Sequence, residues 1–342
     1  MNILLIGYGA VGRFYFNLLK KNKKIKNIFI FDTNKKIIDK KFYLDFNKKN
    51  LINENIKFAI IATPSHLHFK FAQLAIKNNL NLLIEKPLVL NIKNAKKLIK
   101  LSRNYHNKCW VVFQNRYNKA IQKLKEKISK QKTNKYFYID AKMFWHRDFE
   151  YYNSNWHGKY ASDGGVLTNQ AIHLIDTLVY IFGKIKKFQS ILSFNKKKLQ
   201  AEDFAIVNFL HKNNLISSLT ATTRANQNYE CSVDVLSEQE RFSVSGVSLN
   251  IFYNFKKEKK IMDKINSEDF SYKKGVFGAM GNGHKKILDE FLNKDKIKSS
   301  KNLEIRDNLH VLEILHSIYR FRNFKKLNKI NSNQSILGKN EK

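Results

Sequence analysis

The first dozen residues constrain this chain most. An apolar strand over residues 2–6 runs straight into Gly7-Tyr8-Gly9-Ala10-Val11-Gly12, and a helical pattern follows to about Lys20. Glycines at this spacing serve three mechanical ends: Gly7 permits a tight turn, Gly9 lets a pyrophosphate approach the backbone, and Gly12 allows close helix packing. Tyr8, Ala10 and Val11 complete the loop, and the helix N-terminus beyond it attracts anions. A second strand over residues 28–31 ends in Asp32, twenty residues after Gly12. A carboxylate there accepts hydrogen bonds from a ribose 2′-hydroxyl and repels a 2′-phosphate, so NAD rather than NADP is the expected cofactor. Asp32 also begins a turn with Thr33 and Asn34, and both roles stay open at this point.

The alternation continues. Strand 58–62 runs into Thr63-Pro64-Ser65-His66-Leu67-His68, a helix carries Ala72, Leu74 and Ala75, and strand 80–84 delivers Glu85-Lys86-Pro87. Strands alternating with helices make a parallel sheet, and its ligands lie beyond the carboxyl ends of the strands. The only two prolines of the chain both fall at such ends, and so does Lys86, the first candidate for chemistry. A helix over residues 92–104 and a strand over 110–113 lead to Gln114-Asn115-Arg116-Tyr117, where the first domain, residues 1–115, is expected to finish.

Composition excludes more than it assigns. No apolar run approaches the roughly 18 residues a membrane span needs, so no membrane partner is expected. Met1 leads directly into apolar residues 3–6 with no basic leader or small-residue cleavage site, so a cytoplasmic location is expected. Cys109 and Cys231 form neither a disulfide framework nor a metal pattern, and no metal site is expected. The formal charge of +35 is spread as lysines over residues 20–26, 35–41, 196–198 and 256–264. A nucleic-acid reader would gather that charge on one face with base-contacting side chains, so the charge implies a general pull on anionic ligands and no specific nucleic acid.

The segments GYGAVG, ATPSHLH, EKP, QNRY and DGGVLTNQAIHLIDTLVYIFG occur in that order over residues 1–325. As an ordered set they resemble the Gfo/Idh/MocA family of NAD(P)-dependent sugar and polyol oxidoreductases. The resemblance implies an α/β fold: an N-terminal Rossmann domain plus a C-terminal α+β domain with a large open mixed β-sheet. That second domain would span residues 116–325, with its last helices packing back and a polar tail over 326–342. Homo-oligomers, dimers or tetramers, would form through the sheet. Lys86 would lie beside the nicotinamide, often with a cis peptide before the proline. Thr63, Pro64, His68 and Glu85 would line the cofactor, with Asn115 and Arg116 near the active-site end.

In the second domain, strand 136–144 leads to Trp145-His146-Arg147, and Tyr151, Tyr152, Trp156 and His157 follow. Aromatic faces cover sugar C–H groups and arginine forks onto carboxylate or phosphate, so Arg147, Tyr152 and Trp156 are candidate substrate contacts, with ordinary loop packing as the alternative. A helix over residues 166–182 carries an apolar face and a polar stripe of Asn169, His173, Asp176 and Tyr180 at helical spacing. Asn169 and Asp176 are further candidate substrate contacts. The resemblance pairs His173 with Lys86. Many polyol dehydrogenases of the family carry aspartate where Asn169 stands; an amide cannot act as a base, which leaves His173 as proton acceptor. Strands over 188–194, 204–209, 216–222 and 229–236 and helices over 283–292 and 303–321 complete the expectation. The expected activity is hydride transfer between a nicotinamide and a secondary alcohol of a sugar or nucleotide sugar, as in bacterial surface-glycan chemistry. An inositol-type dehydrogenase and a noncatalytic dinucleotide-binding regulator are the alternatives.

Overall fold

The computed structural model describes residues 1–130, 136–153, 156–193, 199–262, 283–293 and 303–321. The first sheet is parallel, with β1 (Asn2–Ile6), β2 (Asn27–Phe31), β3 (Ile56–Ile61), β4 (Asn81–Ile84) and β5 (Cys109–Val111) in the order β2-β1-β3-β4-β5. A single parallel bridge from Ile30 to Tyr43 continues the sheet beyond β2. Counting that bridge as a strand, the order is that of a dinucleotide-binding doubly wound sheet, whose order reverses beside β1. Helices α1 (Ala10–Lys20), α2 (Lys48–Asn53), α3 (His68–Lys77) and α4 (Ile92–Asn104) connect the strands. Ile3, Leu4, Ile60, Leu82 and Leu83 are fully buried, as expected of strands covered on both faces.

The second sheet is mixed. After α5 (Lys119–Ser129) come β6 (Tyr136–Phe144), α6 (Phe149–Tyr152), α7 (Val166–Asn169), α8 (Ile172–Phe182), β7 (Ile185–Ser193), β8 (Phe204–His211), β9 (Ile216–Thr222) and β10 (Glu230–Ser237). Then follow β11 (Arg241–Ser245), β12 (Ile251–Asn254), β13 (Lys259–Met262), α9 (Gly283–Phe291) and α10 (Leu309–Arg320). The eight strands run β13-β12-β11-β10-β6-β9-β8-β7, and only the β6–β9 pair is parallel. Ala141, Met143, Leu219, Val233 and Phe242 alternate inward along their strands to form a covered face. Strands β11 to β13 were not expected from the sequence: β11 alternates but has only five residues, and β12 and β13 have four each.

Two expected helices take another form. The pattern over 166–182 is broken at Gln170 and Ala171 into α7 and α8, so Asn169 ends one helix while His173 begins the next. The helix expected over 303–321 begins only at Leu309, because Val111 N donates to Leu303 O (2.9 Å) and Ile305 N to Cys109 O (3.1 Å), binding 303–305 to the edge of β5. The C-terminal elements thus return to the first sheet, with Phe291 of α9 edge-on to Phe58 at 5.6 Å. The tail 326–342 and residue 194 lie outside the described residues.

One buried acid ties α7 to α10. Glu202 accepts from Leu167 N (3.0 Å) and from the Tyr319 hydroxyl (2.8 Å), and its backbone carbonyl accepts from Val166 N (2.8 Å). Burial pushes its carboxyl up to about 7 against the pull of the Leu167 N–H and the Tyr319 hydroxyl, from an ordinary 4.5. The folded chain therefore holds a proton between about pH 4.5 and 7 that the unfolded chain has released, so Glu202 contributes stability that is lost as pH rises through this window. Glu202→Gln is expected to remove that contribution. In urea unfolding at several pH values, the stability difference between wild type and variant should fall steadily from pH 4.5 to 7, and a flat difference would refute the assignment.

Candidate active site

The glycine loop builds a phosphate cradle by exclusion. Gly7 has φ +95°, and a Cβ there would come within 2.7 Å of Ala62 O. A Cβ on Gly12 would lie 2.1 Å from Gly7 O, whereas one on Gly9 would meet nothing within 4 Å. Gly7 and Gly12 are thus held by the fold, and Gly9 leaves open space at the start of α1, a helix with no side-chain cap on its first N–H groups. Gly7, Gly9, Ala10, Val11, Asp32, Thr63 and Pro64 line a cleft of about 470 Å³ that reaches Lys86. The Thr63 Oγ1, buried with no hydrogen-bond partner among the described residues, suits a polar ligand group. Tyr8 contributes backbone only: its ring packs on Phe16 (5.6 Å), and its N–H donates to Asp32 Oδ2 (2.8 Å).

Asp32 stands where either role considered for it can be played. Its Oδ1 accepts from Asn34 N (2.9 Å), capping the turn, while the residue lines the cleft. Asp32→Ala is expected to weaken NAD binding by roughly 10- to 100-fold, the worth of hydrogen bonds to a charged group. Titration of NAD followed by fluorescence checks this, and unchanged affinity would remove Asp32 from the cofactor site.

Four expected site residues lie elsewhere. His68 is 1% exposed, and its ring nitrogens meet Pro87 O (2.8 Å) and Thr63 O (2.9 Å), so it braces the two loops that flank the cleft without facing into it. Arg116 and Asp176 form a buried pair, with Arg116 Nε 2.9 Å from Asp176 Oδ2 and Nη2 2.5 Å from Oδ1. Arg116 therefore does not reach the cofactor cleft, nor Asp176 the substrate pocket. The α8 stripe divides, with His173 facing the pocket and Asp176 facing the turn at residues 114–117. Tyr152 bonds Thr223 Oγ1 through its hydroxyl (2.6 Å), and neither pocket includes it. Two more residues exchange sides: Asn115 lines the inner pocket, and Trp156 lines the cofactor cleft.

Beyond Lys86 the cleft meets an inner pocket lined by Gln114, Trp145, Arg147, Asn169, His173 and His284, among others. Lys86, Glu85, Val11, Tyr151 and Asn169 belong to both spaces. The Lys86–Pro87 peptide is cis. Lys86 Nζ donates to Asn169 O (2.6 Å) and Asn169 Oδ1 (3.3 Å). Asn169 Nδ2 in turn donates to Asp163 Oδ1 (2.8 Å), Asp163 Oδ2 (2.7 Å) and the Tyr151 hydroxyl (2.8 Å), which also accepts from Gln170 Nε2 (3.1 Å). His157 is stacked on Tyr151 at 3.9 Å and bonds Asp163 through Nδ1 (2.9 Å). Glu85 accepts from the Tyr15 hydroxyl (2.7 Å) and lies 3.6 Å from His284 Nε2.

These contacts sort the charges. Burial works to raise Glu85, but His284, Lys86 and Tyr15 outweigh it and hold the carboxyl at about 2. Burial lowers the Lys86 ammonium below its ordinary 10.5, and Glu85 and Asp163 oppose that shift while Arg147 adds to it. Burial and the nearby Lys86 charge drive His173 well below 6.5, so its ring is neutral at physiological pH. Among the described residues His173 Nδ1 has no hydrogen-bond partner, and Nε2 is 3.5 Å from the Gln114 amide nitrogen. A neutral imidazole on the wall of the inner pocket can exchange a proton with a hydroxyl while the lysine ammonium, at the seam of the two clefts, supports developing negative charge. Tyr151 and Asp163 are site residues that were not among the sequence candidates; the signals for them were the aromatic stretch that holds Tyr151 and the DGGVLTNQ segment that Asp163 opens.

A family model for the oxidoreductase family with an NAD-binding Rossmann fold matches residues 1–113, and one for the GFO/IDH/MocA C-terminal domain matches residues 121–247. An uncharacterised oxidoreductase of Synechocystis is 25% identical over 190 residues, a match spanning about half of this chain and half of that relative (51% each). Among solved structures, the WlbA dehydrogenase from Bordetella pertussis in complex with NADH and UDP-GlcNAcA aligns with TM-score 0.78 and 22% identity, covering 94% of this chain and 96% of that one. Its counterpart from Chromobacterium violaceum, with the same ligands, aligns with TM-score 0.80 and 21% identity, covering 94% and 93%. At these identities the likeness is one of fold.

Proposed function

Because the chain belongs to the Gfo/Idh/MocA family of NAD-dependent oxidoreductases, we propose that it transfers hydride between NAD and a secondary alcohol or ketone of a nucleotide sugar. One observation carries the reading: Lys86 and Asn169 stand where the cofactor cleft opens into a second pocket, and His173 forms a wall of that pocket. Bound NAD supplies the hydride acceptor, or in reduced form the donor. The carbinol hydroxyl lies between His173 and Lys86. His173, neutral through desolvation, takes the hydroxyl proton as the C–H bond breaks, and the Lys86 ammonium donates to the oxygen as negative charge develops. Ketone reduction runs through the same groups in reverse.

Three features support a nucleotide sugar over a free polyol. Trp145 and Tyr151 line the pocket, with the Arg147 guanidinium lying over both rings. Arg147 reaches the same pocket with Nε buried and without a hydrogen-bond partner among the described residues, a donor suited to an anionic substituent. Two structural neighbours were crystallised with UDP-GlcNAcA. The test is a panel of UDP-sugars, UDP-sugar uronates, free sugars and inositols, with NAD reduction followed by absorbance. Turnover of a UDP-sugar with Arg147-dependent KM is expected; turnover confined to inositols or free sugars would overturn the nucleotide-sugar reading.

A further inference from the structure

We propose that Asp163 is a positioning residue of the reaction site: acting through the amide of Asn169, it orients the acceptor that Lys86 meets and supplies a counter-charge to the Lys86 ammonium. This rests on the role given to Lys86 above, and it concerns a carboxylate one residue removed from the lysine. The Asp163 side chain, in the loop before α7, is 4% exposed and lines the inner end of the cofactor cleft beside Asn169. Its oxygens accept from Asn169 Nδ2 (2.8 and 2.7 Å), His157 Nδ1 (2.9 Å) and Gly158 N (3.4 Å). An ionised carboxylate can only accept, so the amide of Asn169 must turn its nitrogen toward Asp163 and its oxygen toward Lys86. The opposite orientation would set oxygen against carboxylate and N–H against ammonium. Asp163 thereby decides which end of the Asn169 amide stands 3.3 Å from the lysine, beside the 2.6 Å bond that Lys86 makes to the Asn169 backbone carbonyl.

Charge follows geometry. The lysine, the amide and the carboxylate form one line, ammonium to C=O and N–H to carboxylate, in surroundings that screen charge poorly. The charged and titratable groups that act on Lys86 are Glu85 from its own strand end, Asp163, Arg147 from the loop after β6, His173 from α8 and His68 from α3. Facing Asp163 are His157, Tyr151, Tyr152 and Lys86. Glu85 is shared with Tyr15 and His284, whereas Asp163 reaches Lys86 through the polarisable amide. The arrangement supplies a carboxylate to the lysine without placing one against the substrate.

The experiment reads Lys86 directly. The rate of Lys86 acetylation by a water-soluble anhydride is followed by peptide mass spectrometry from pH 6 to 11 in the full chain with NAD bound. It compares wild type, Asp163→Asn, Asp163→Glu and the exchange variant Asp163→Asn/Asn169→Asp. With Asp163→Asn the reactivity midpoint should fall by about one pH unit, the usual effect of removing one nearby opposite charge. Turnover on the sugar substrate should drop roughly tenfold, with its alkaline limb moving by the same amount. Asp163→Glu should keep the midpoint. The exchange variant preserves the amide–carboxylate bond and so the fold, and should raise the midpoint above wild type because its carboxylate meets the ammonium directly. An unmoved midpoint in Asp163→Asn, an equal shift in Asp163→Glu, or an exchange variant at or below wild type would each overturn the proposal. If the midpoints shift as expected while no sugar alcohol is turned over, the charge relation stands and the proposed reaction fails instead.

Discussion

Replacing Lys86 by alanine is expected to lower kcat by roughly 10²- to 10⁴-fold, the usual range for a positioned acid–base or electrostatic group, and His173→Ala by a similar factor. NAD affinity should change little in either variant, because the phosphate cradle is built from the glycine loop and the start of α1, on the other side of the cleft. The losses should be far from additive, since the two groups act on one oxygen. Their pH dependence has a definite sign. His173 must be neutral, and burial with the Lys86 charge depresses it, so the acid limb of the rate should fall below pH 6.5. Lys86 must be protonated, and burial lowers it, so the alkaline limb should lie below pH 10.5. Steady-state kinetics from pH 5 to 11 on any substrate identified by the panel decides this. Wild-type kcat in Lys86→Ala would remove the lysine from the chemistry.

Removing either partner of the buried Arg116–Asp176 pair should cost about 3–5 kcal/mol of stability, since the other charge is left without its counterpart in the interior. The side chains are 7% and 1% exposed, and Arg116 Nη2 also donates to Asn308 Oδ1 (2.7 Å). The pair therefore pins the turn at 114–117, α8 and the start of α10 together, while the guanidinium lies over Phe113 and Tyr180. Arg116→Ala and Asp176→Ala measured by urea denaturation should each show the loss. Arg116→Met/Asp176→Leu should recover most of it, because an apolar pair of similar volume leaves no uncompensated charge. If both single variants stay within about 0.5 kcal/mol of wild type, as ordinary surface substitutions do, the pair is not the clamp described here.

Much of the first domain was legible because its signals are local. A glycine loop, an acid at the end of the second strand and the Glu-Lys-Pro turn need only neighbours in sequence to be read, and Gly7, Gly9, Gly12, Asp32, Thr63, Pro64 and Lys86 all line the expected cleft or shape its turn. The helical stripe was less reliable. Helical spacing assumes one continuous cylinder, and the break at Gln170–Ala171 leaves Asn169 and His173 converging from two separate helices. His68 and Arg116 were placed by their motifs, yet their side chains bond structural partners, since a motif gives position along the chain and not side-chain direction.

By itself the sequence determined the doubly wound, NAD-binding first domain, because backbone turns, helix starts and a strand-end carboxylate follow from residue order. It also delivered Lys86 to a strand end. Only the tertiary structure decided what surrounds that lysine: Asp163, Tyr151 and Asn169 arrive from residues 151–169 of the second domain, and His284 from α9 near the C-terminus. Their approach to Lys86 depends on how the two sheets and returning helices pack. Burial, which depresses His173 and raises Glu202, is likewise a property of that packing and has no signature in the order of residues.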